Sequence, residues 1–202
     1  MSARSQLSKL RAELDQKITY GLKKDALKFA RFALRQAKDK GLTGETEYFR
    51  GQVQMLRKNY VTAIEHFDRA IGYDPHDGAA YNDRALCMVE LGIIDEAFSY
   101  FDKGIAVEPD YATVYHNKGW LLNNIGRHSE AIEYFRRALE LEPERAVTFD
   151  NLADALLNLG NHKGATEAWE KVLKLLKPGS CVGIRRQIIS QINKVKTKLK
   201  KD

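Results

Sequence analysis

Alanine recurs at a fixed interval of 34 residues through the middle of this chain. The four alanines are Ala63, Ala97, Ala131 and Ala165. An aromatic residue follows each of them by four positions, and these aromatics are Phe67, Phe101, Phe135 and Trp169. A glycine precedes the last three alanines by five positions, at Gly92, Gly126 and Gly160. Because no insertion interrupts three consecutive periods, the sequence predicts one structural unit that is copied and stacked.

A single copy, from Ala112 to Pro143, has the features of two helices. Apolar residues recur three and four positions apart in each half of the copy, which is the spacing of one helix face. Gly126 ends the first helix, since glycine tolerates the left-handed backbone of a helix C-terminus. Pro143 ends the second, because proline lacks an N–H and disfavours helix at the preceding residue. Each copy is therefore predicted to be a pair of antiparallel helices.

These positions resemble the tetratricopeptide repeat (TPR), a family of stacked helix pairs. In this copy the resemblance is carried by Gly119, Gly126, Ala131, Phe135, Ala138 and Pro143. The match extends over residues 44–178, and the first of its four copies has Lys58 where the others have the turn glycine. The resemblance implies an all-α fold, a right-handed superhelical solenoid of antiparallel helix pairs with a C-terminal capping helix.

Two flanking segments complete the predicted organisation. Residues 1–43 are predicted to be a degenerate N-terminal helix hairpin, and residues 44–178 to hold the four repeats. Residues 179–202 follow Pro178-Gly179 and are predicted to be a basic amphipathic capping helix. Its apolar stripe consists of Ile184, Ile188, Ile192, Val195 and Leu199. Such a helix covers the open end of the last repeat, as the terminal units of solenoids must.

The resemblance also implies a peptide-binding groove, since in this family the first helix of each pair lines the inner face. The predicted groove residues are Tyr48, Gln52, Asn82, Asp83, His116, Asn117, Trp120, Asn124, Asp150, Asn151 and Asp154. Some family members hold a C-terminal carboxylate with Lys and Arg side chains at groove positions. None of the corresponding positions is Lys or Arg in this chain, so we do not expect that mode of binding.

Asn117 and Asn151 occupy equivalent positions in neighbouring copies, where family members that bind extended peptides carry a ladder of asparagines. An amide side chain donates to and accepts from a peptide main chain at once. Trp120 and Tyr48 would pack against partner side chains, and the acidic groove residues would favour basic or neutral segments. The main hypothesis is a non-enzymatic adaptor that binds an extended or helical peptide. The alternative interpretation of the asparagines is ordinary solvated helix surface.

Charge is divided along the chain, with two basic ends around an acidic middle. The net charge is +7 over residues 1–43, −7 over residues 44–178 and +6 over residues 179–202. The simplest interpretation is a set of solvated helix faces. An alternative is a self-assembling scaffold, a homo-oligomer that coats a membrane or organelle surface through basic-end to acidic-middle contacts and recruits other proteins. In a variant of this idea, residues 196–202 lie in the chain's own acidic groove and inhibit partner binding.

The basic C-terminal segment has two further candidate partners. An anionic membrane would be contacted through Arg185, Arg186, Lys194 and Lys198. Nucleic acid is not expected, because the segment has no aromatic residue between its charges on which bases could stack.

No arrangement of residues predicts catalysis, a cofactor or a metal site. The histidines lack the spacing of a zinc site, and no glycine-rich phosphate loop is present. Cys87 and Cys181 are expected to be unreactive thiols. No apolar run approaches the roughly 18 residues of a membrane span, and the N-terminus lacks a secretory apolar core. We expect no enzyme activity, and a location in the cytoplasm or peripheral on a membrane or organelle surface.

Overall fold

Eleven helices make up the part of the chain that the computed structural model describes, residues 3–176 and 182–198. They are α1 (Ala3–Tyr20), α2 (Lys23–Asp39), α3 (Thr43–Leu56), α4 (Tyr60–Tyr73), α5 (Gly78–Glu90), α6 (Ile94–Val107), α7 (Ala112–Asn124), α8 (His128–Leu141), α9 (Ala146–Asn158), α10 (His162–Leu175) and α11 (Val182–Lys198). These residues contain no strand. The all-helical fold predicted from the repeat pattern is therefore confirmed.

The chain divides into two compact units, Met1–Tyr111 and Ala112–Asp202. In the first unit, α3 pairs with α4 and α5 with α6, while α4 also packs against α5. In the second unit, α7 pairs with α8 and α9 with α10, while α8 also packs against α9. The first helices of neighbouring pairs touch as well, α3 with α5 and α7 with α9. Within each unit, a side chain on the first helix of one pair therefore lies close to its equivalent in the other pair.

The same tight turn joins the two helices of each of the four pairs. One residue of each turn has a positive φ: Lys58 (66°), Gly92 (78°), Gly126 (84°) and Gly160 (76°). In the third turn, the N–H of Gly126 donates to the Asn123 carbonyl at 3.1 Å, and the N–H of Arg127 donates to the Leu122 carbonyl at 2.9 Å. These bonds are the Schellman ending of a helix. Lys58 adopts this left-handed backbone although it has a Cβ atom, whereas the other three turns have glycine at the same position.

The repeated aromatic residue of each second helix is fully buried in its own pair. Phe67, Phe101 and Phe135 have no exposed surface, and Trp169 is 1% exposed. These rings explain the glycines in two of the first helices. A Cβ atom at Gly51 would lie 2.6 Å from Phe67 Cε1, and one at Gly119 would lie 2.9 Å from Phe135 Cε1. The close approach of the two helices in these pairs depends on the absence of a side chain there.

The N-terminal helices share the core of the first unit. The fully buried residues of α2 are all alanines with no exposed surface, namely Ala26, Ala30, Ala33 and Ala37, and the partly buried Leu27, Phe29 and Leu34 pack against the same core. Leu7 and Leu14 of α1 are buried in the same core. Residues 40–42 connect α2 to α3, and Gly41 among them has a φ of 67°. The proposed segment boundaries at residues 43 and 178 stay predictions.

The last helix, α11, packs against α10. Ile188, Ile192 and Val195 of the predicted stripe are buried, but Ile184 is 41% exposed. Arg185 Nη1 donates to the carbonyl oxygens of Leu173 and Leu176, at 2.7 and 2.9 Å, where α10 ends. Arg185 thus satisfies carbonyls that the helix end leaves without helical partners. Pro178, Gly179 and Leu199 lie outside the described residues.

Candidate functional site

In the first unit, four predicted groove residues form one buried network on α3 and α5. The Tyr48 hydroxyl donates to Asp83 Oδ2 at 2.8 Å, and Gln52 Nε2 donates to the Tyr48 hydroxyl oxygen at 3.0 Å. Gln52 Nε2 also donates to Asp83 Oδ2, and Asn82 Nδ2 donates to Asp83 Oδ1 at 3.0 Å. All four residues are buried, and the most exposed of them, Asp83, is 7% exposed. The network therefore converges on one carboxyl group, that of Asp83.

The Asp83 carboxyl group has a pKa well above the ordinary value for an aspartate. Burial raises its pKa to about 7, the hydrogen bonds from Tyr48 and Asn82 act to lower it, and the charges of Asp15 and Asp77 act to raise it. Burial also raises the pKa of Tyr48, whose hydroxyl therefore remains a donor. Asp83 consequently changes its charge near neutral pH inside the network.

A helix that was not part of the predicted groove covers this network. Arg11 of α1 donates from Nη1 and Nη2 to the two carboxylate oxygens of Asp77, each at 2.8 Å. Its Nε donates to Glu45 Oε2 at 3.0 Å, and its guanidinium carbon lies 3.7 Å from the centre of the Tyr48 ring. The Arg11 side chain of α1 therefore occupies part of the face of α3 and α5 that was predicted to contact a partner.

In the second unit, His116 connects α7 to α9. The imidazole Nδ1 donates to Thr148 Oγ1 at 2.9 Å, and Nε2 accepts from Asn151 Nδ2 at 3.4 Å. Burial and the nearby charge of Arg145 lower the pKa of His116 to about 3, so the ring is neutral at physiological pH. A neutral imidazole donates through one nitrogen and accepts through the other, as this arrangement requires. His116 is 6% exposed, and its contact holds the Asn151 amide in place.

Asp150 and Asp154 lie one turn apart on α9, and both are partly buried. Trp169 Nε1 donates to Asp150 Oδ1 at 3.0 Å. Burial raises the pKa of Asp150, although this hydrogen bond acts to lower it. Burial and the charge of Asp150 raise the pKa of Asp154 to about 6. The two carboxylates thus place negative charge where water solvates it incompletely, which favours a nearby cation.

A surface depression of about 590 Å³ lies at the C-terminal ends of α7 and α9. Its lining residues are Asn123, Asn124, Gly126, His128, Asp154, Leu157 and Asn158. His128 Nδ1 donates to Asn123 Oδ1 at 2.6 Å, which fixes one edge of the depression. The predicted groove residues Asn124 and Asp154 both line it, from the neighbouring helices α7 and α9.

The other predicted residues of the second unit continue from this depression. Asn117 and Trp120 are partly buried, and they precede Asn124 on α7 at spacings of seven and four residues. Asn151, also partly buried, precedes Asp154 on α9 by three residues. Residues spaced three, four and seven apart share one face of a helix. We call the surface formed by these five residues the α7–α9 face.

The basic C-terminal helix is partly engaged within its own unit. Lys196 Nζ lies 3.1 Å from Glu170 Oε1 of α10. Arg186, Lys194 and Lys198 line an open depression of about 710 Å³ on the outer side of α11, together with Ile189. Lys200, Lys201 and the remainder of the predicted inhibitory tail lie outside the described residues. Across residues 3–176 and 182–198, none of the helices has both the length and the apolar character needed to cross a bilayer.

The chemistry of the described residues does not suggest catalysis. They contain no group of three or more His, Cys, Asp or Glu side chains that could hold a metal ion. Cys87 is a buried free thiol whose pKa is raised, chiefly by burial, so its reactive thiolate is disfavoured. Cys181 lies outside the part of the chain that the structure describes.

Three family models of the tetratricopeptide repeat match this chain, over residues 50–106, 112–145 and 145–177. The chain belongs to the tetratricopeptide repeat family. TPR proteins are generally non-enzymatic modules for protein–protein interaction, and this TPR protein is an interaction module in that general sense. Among curated protein sequences, none is similar enough to count as a match.

Solved structures of other TPR proteins share this fold. A thermophilic TPR protein of Thermus thermophilus has a TM-score of 0.73 at 19% identity, with 92% of this chain and 98% of that chain covered. YrrB, described as a TPR protein with an unusual peptide-binding site, has a TM-score of 0.57 at 21% identity, covering 82% and 83%. MamA 41-end from Desulfovibrio magneticus RS-1 has a TM-score of 0.57 at 21% identity, covering 84% and 94%. At these identities the similarity shows the fold alone.

Arg11 and Asp77, whose ion pair connects α1 to α5 beside the first-unit network, were not among the residues predicted from the sequence. One local signal was present, since Arg11 lies on the same helix face as Leu7 and Leu14 and interrupts their apolar stripe. The ion-pair partner of Arg11 could not be predicted, because the sequence pattern does not indicate which later helices α1 contacts.

Proposed function

We propose that this TPR protein binds a peptide segment of a partner protein on the α7–α9 face. The observation that carries this proposal is the continuity of Asn117, Trp120 and Asn151 with the depression lined by Asn124 and Asp154. Polar amides, one aromatic ring and partly desolvated carboxylates on one face are suited to a peptide. The face lies on packed helices and would need little reorganisation on binding.

The asparagine amides are the groups suited to peptide main chain. Each amide offers two donors and an oxygen acceptor, so it satisfies a peptide C=O and N–H without reading the peptide's sequence. The single bond from Asn151 Nδ2 to His116 leaves its second N–H and its oxygen for a ligand while orienting the side chain. Each hydrogen bond to the peptide adds about 0.5–1.5 kcal/mol net to binding. Two such asparagines therefore give weak binding with little dependence on peptide sequence, unless side chains of the peptide contribute.

The carboxylates decide which peptide segments are accepted. Asp150 and Asp154 repel an acidic segment and attract a basic one, and their incomplete solvation strengthens both effects. A lysine or arginine of the partner that reaches the depression would restore the full ionisation of Asp154 at pH 6 to 7. The favoured ligand is therefore a basic or neutral segment, extended across α7 and α9 or helical along them.

A selection from a displayed library of random twelve-residue peptides tests this proposal. Peptides recovered on the wild-type protein would be titrated against a variant with Asn117, Trp120 and Asn151 all replaced by Ala. The matched control is Asn193→Ala, which removes an exposed amide from α11. We expect the triple variant to lose binding and the control to retain it. Retained binding by the triple variant would place the peptide site elsewhere.

A second candidate function is the scaffold that assembles on an anionic surface. The observation in its favour is the outer side of α11, where Arg186, Lys194 and Lys198 surround Ile189, which is 45% exposed. Basic side chains around an exposed apolar residue are suited to anionic headgroups. Sedimentation with vesicles containing phosphatidylserine is the test, with neutral vesicles as the control. A protein that stays in the supernatant and remains monomeric at low salt would exclude this function.

A further inference from the structure

A line of five cations runs along the outward side of α2. Alanines occupy the buried side of this helix, and the opposite side faces solvent. The cations on that side follow each other at spacings of four, three, four and three residues, which keeps them on one helix face. Because a helix rises about 1.5 Å per residue, the line is about 21 Å long. The five residues, which we call the basic row, are all exposed: Lys24, Lys28, Arg31, Arg35 and Lys38.

The charges of the basic row are not neutralised by nearby carboxylates. On α8, by contrast, exposed arginines pair with a carboxylate three residues away, as Arg137 does with Glu140. Within the described residues, none of the five cations of the basic row forms an ion pair. Like charges three and four residues apart repel each other and destabilise a helix. An anionic ligand that contacts the row would relieve this repulsion.

An aromatic ring lies beside the middle of the basic row. Phe32 follows Lys28 by four residues and precedes Arg35 by three, so it lies next to both on the helix surface. Phe32 is 40% exposed, and the centre of its ring lies 5.8 Å from that of Phe29, which packs against the core. An exposed ring that a packed neighbour holds in place is suited to stacking on a planar ligand group.

Two carboxylates limit the shape of the ligand that fits this side of α2. Asp25 and Asp39 are exposed, and they lie seven residues before and seven after Phe32. These three residues therefore follow a line beside the basic row. A broad anionic surface such as a bilayer would meet both carboxylates together with the cations, whereas a single polyanionic strand can follow the cations alone. The narrow row is therefore better suited to a linear polyanion than to a plane of lipid headgroups.

We propose that the basic row and Phe32 together bind single-stranded nucleic acid. The cations contact successive phosphates of one strand, and Phe32 stacks on a base that turns toward the helix. A single strand exposes its bases for stacking, whereas a duplex keeps them inside. Because these contacts involve phosphates and the face of a base, binding depends little on nucleotide sequence.

This site goes beyond the proposed peptide binding, since it shares no residue with the α7–α9 face. The expectation against nucleic acid rested on the C-terminal basic segment, which has no aromatic residue between its charges. The basic row of α2 differs in this respect, because Phe32 lies between Arg31 and Arg35 in the sequence and is exposed.

Fluorescence anisotropy with a labelled oligothymidine of fifteen nucleotides tests the proposal on the full-length protein. If all five cations contact phosphates, the plot of log K against log salt should have a slope of about −3.5, since each contact with a single strand contributes about −0.7. Replacing Lys28, Arg31 and Arg35 together with Gln should reduce the steepness of this slope by about 2 and weaken binding at low salt on the order of tenfold or more. These side chains are exposed and lie opposite the buried alanines, so the variant should keep the wild-type circular dichroism spectrum.

The matched control removes the same amount of charge from another helix. Arg186, Lys194 and Lys198 of α11 are replaced together with Gln, and the affinity for the oligonucleotide should stay within about twofold of wild type, since general effects of net charge are largely screened at physiological salt.

Phe32→Leu tests the stacking contact, because leucine keeps an apolar side chain but has no ring. This variant should bind the single strand on the order of tenfold more weakly than wild type. Its weak binding to a duplex of the same length should be unchanged, since a duplex does not present a base to the ring.

A measurement on the wild-type protein does not depend on variants. An oligonucleotide that carries iodouridine should form a photocrosslink to Phe32, which mass spectrometry of the digested protein would identify. Crosslinks confined to aromatic residues outside α2 would overturn the proposal.

The binding experiments can overturn it as well. Contradicting results are equal affinity of the wild type and the α2 triple variant, an equal loss in the α11 control, or a preference for duplex over single strand. Binding to vesicles that contain phosphatidylserine, together with no binding to the oligonucleotide, would show that the basic row contacts membranes instead.

Discussion

Replacing Lys58 with glycine should stabilise this protein, because Lys58 is the non-glycine residue in a turn that otherwise uses glycine. Its φ of 66° matches the 76–84° of Gly92, Gly126 and Gly160. Its turn also has the same two hydrogen bonds, from Lys58 N–H to the Met55 carbonyl at 2.9 Å and from Asn59 N–H to the Gln54 carbonyl at 3.0 Å. The substitution therefore removes strain without changing the turn.

The expected gain follows from two opposing contributions. A Cβ atom in the left-handed region costs about 1–2 kcal/mol, and this strain disappears with glycine. Glycine also gives the unfolded chain more freedom, which offsets roughly 0.5–1 kcal/mol of the gain. The net stabilisation is about 0.5–1 kcal/mol, equivalent to a rise in melting temperature of roughly 1–4 °C for a chain of this length.

Urea unfolding followed by far-UV circular dichroism measures this difference. We expect the midpoint to rise while the slope with denaturant stays constant, since the surface exposed on unfolding is unchanged. Lys58→Ala is the matched control, because it removes the lysine side chain but keeps the Cβ atom, and it should give no comparable gain. If Lys58→Ala stabilises as much as Lys58→Gly, or if Lys58→Gly is neutral, the strain assigned to this turn is wrong.

Two further predictions concern the buried network and the packing of a pair. The pKa of Asp83 is raised from its ordinary 3.8 to about 7. Between these pH values the folded chain binds more protons than the unfolded chain. The contribution of Asp83 to the free energy of unfolding is therefore largest at low pH, and it falls as the pH rises from about 4 to 7. Urea unfolding across this range should show a decline of at most about 1.4 kcal/mol per pH unit from this group, which Asp83→Asn removes; an unchanged pH profile in the variant would contradict the assignment. Gly119→Ala should destabilise by about 1–3 kcal/mol, since its Cβ atom would lie 2.9 Å from the Phe135 ring; wild-type stability of this variant would show that the ring shifts freely.

The sequence predicted the repeated parts of the fold well, because each repeat residue acts within its own helix pair. The turn glycines and the buried aromatic residues depend on contacts a few residues or one helix away, and a period of 34 residues reports them directly. Even the exception was visible, since Lys58 departs from the pattern and the backbone there still follows it.

The parts that could not be predicted are contacts made outside the repeat pattern. The predicted face of α3 and α5 is covered by Arg11, which lies 66 residues before its partner Asp77 and outside the regular period. His116 was predicted to lie in the groove, and the structure places it as a buried neutral ring that holds Asn151. A single sequence reports which positions face inward, but it does not report which of them the chain itself already uses.

The measurement that tests the proposed function most directly is the affinity of a selected peptide after N-methylation of its main-chain nitrogens, one position at a time. In the proposed complex, the side-chain amides of Asn117 and Asn151 hydrogen-bond to the peptide main chain. N-methylation at the gripped positions should therefore weaken binding to the wild type by about 2–12-fold, the equivalent of one net hydrogen bond. The same modification should have little effect on the residual binding of the Asn117→Ala/Asn151→Ala protein. An equal loss for both proteins, or no loss at any position, would contradict main-chain recognition by these asparagines.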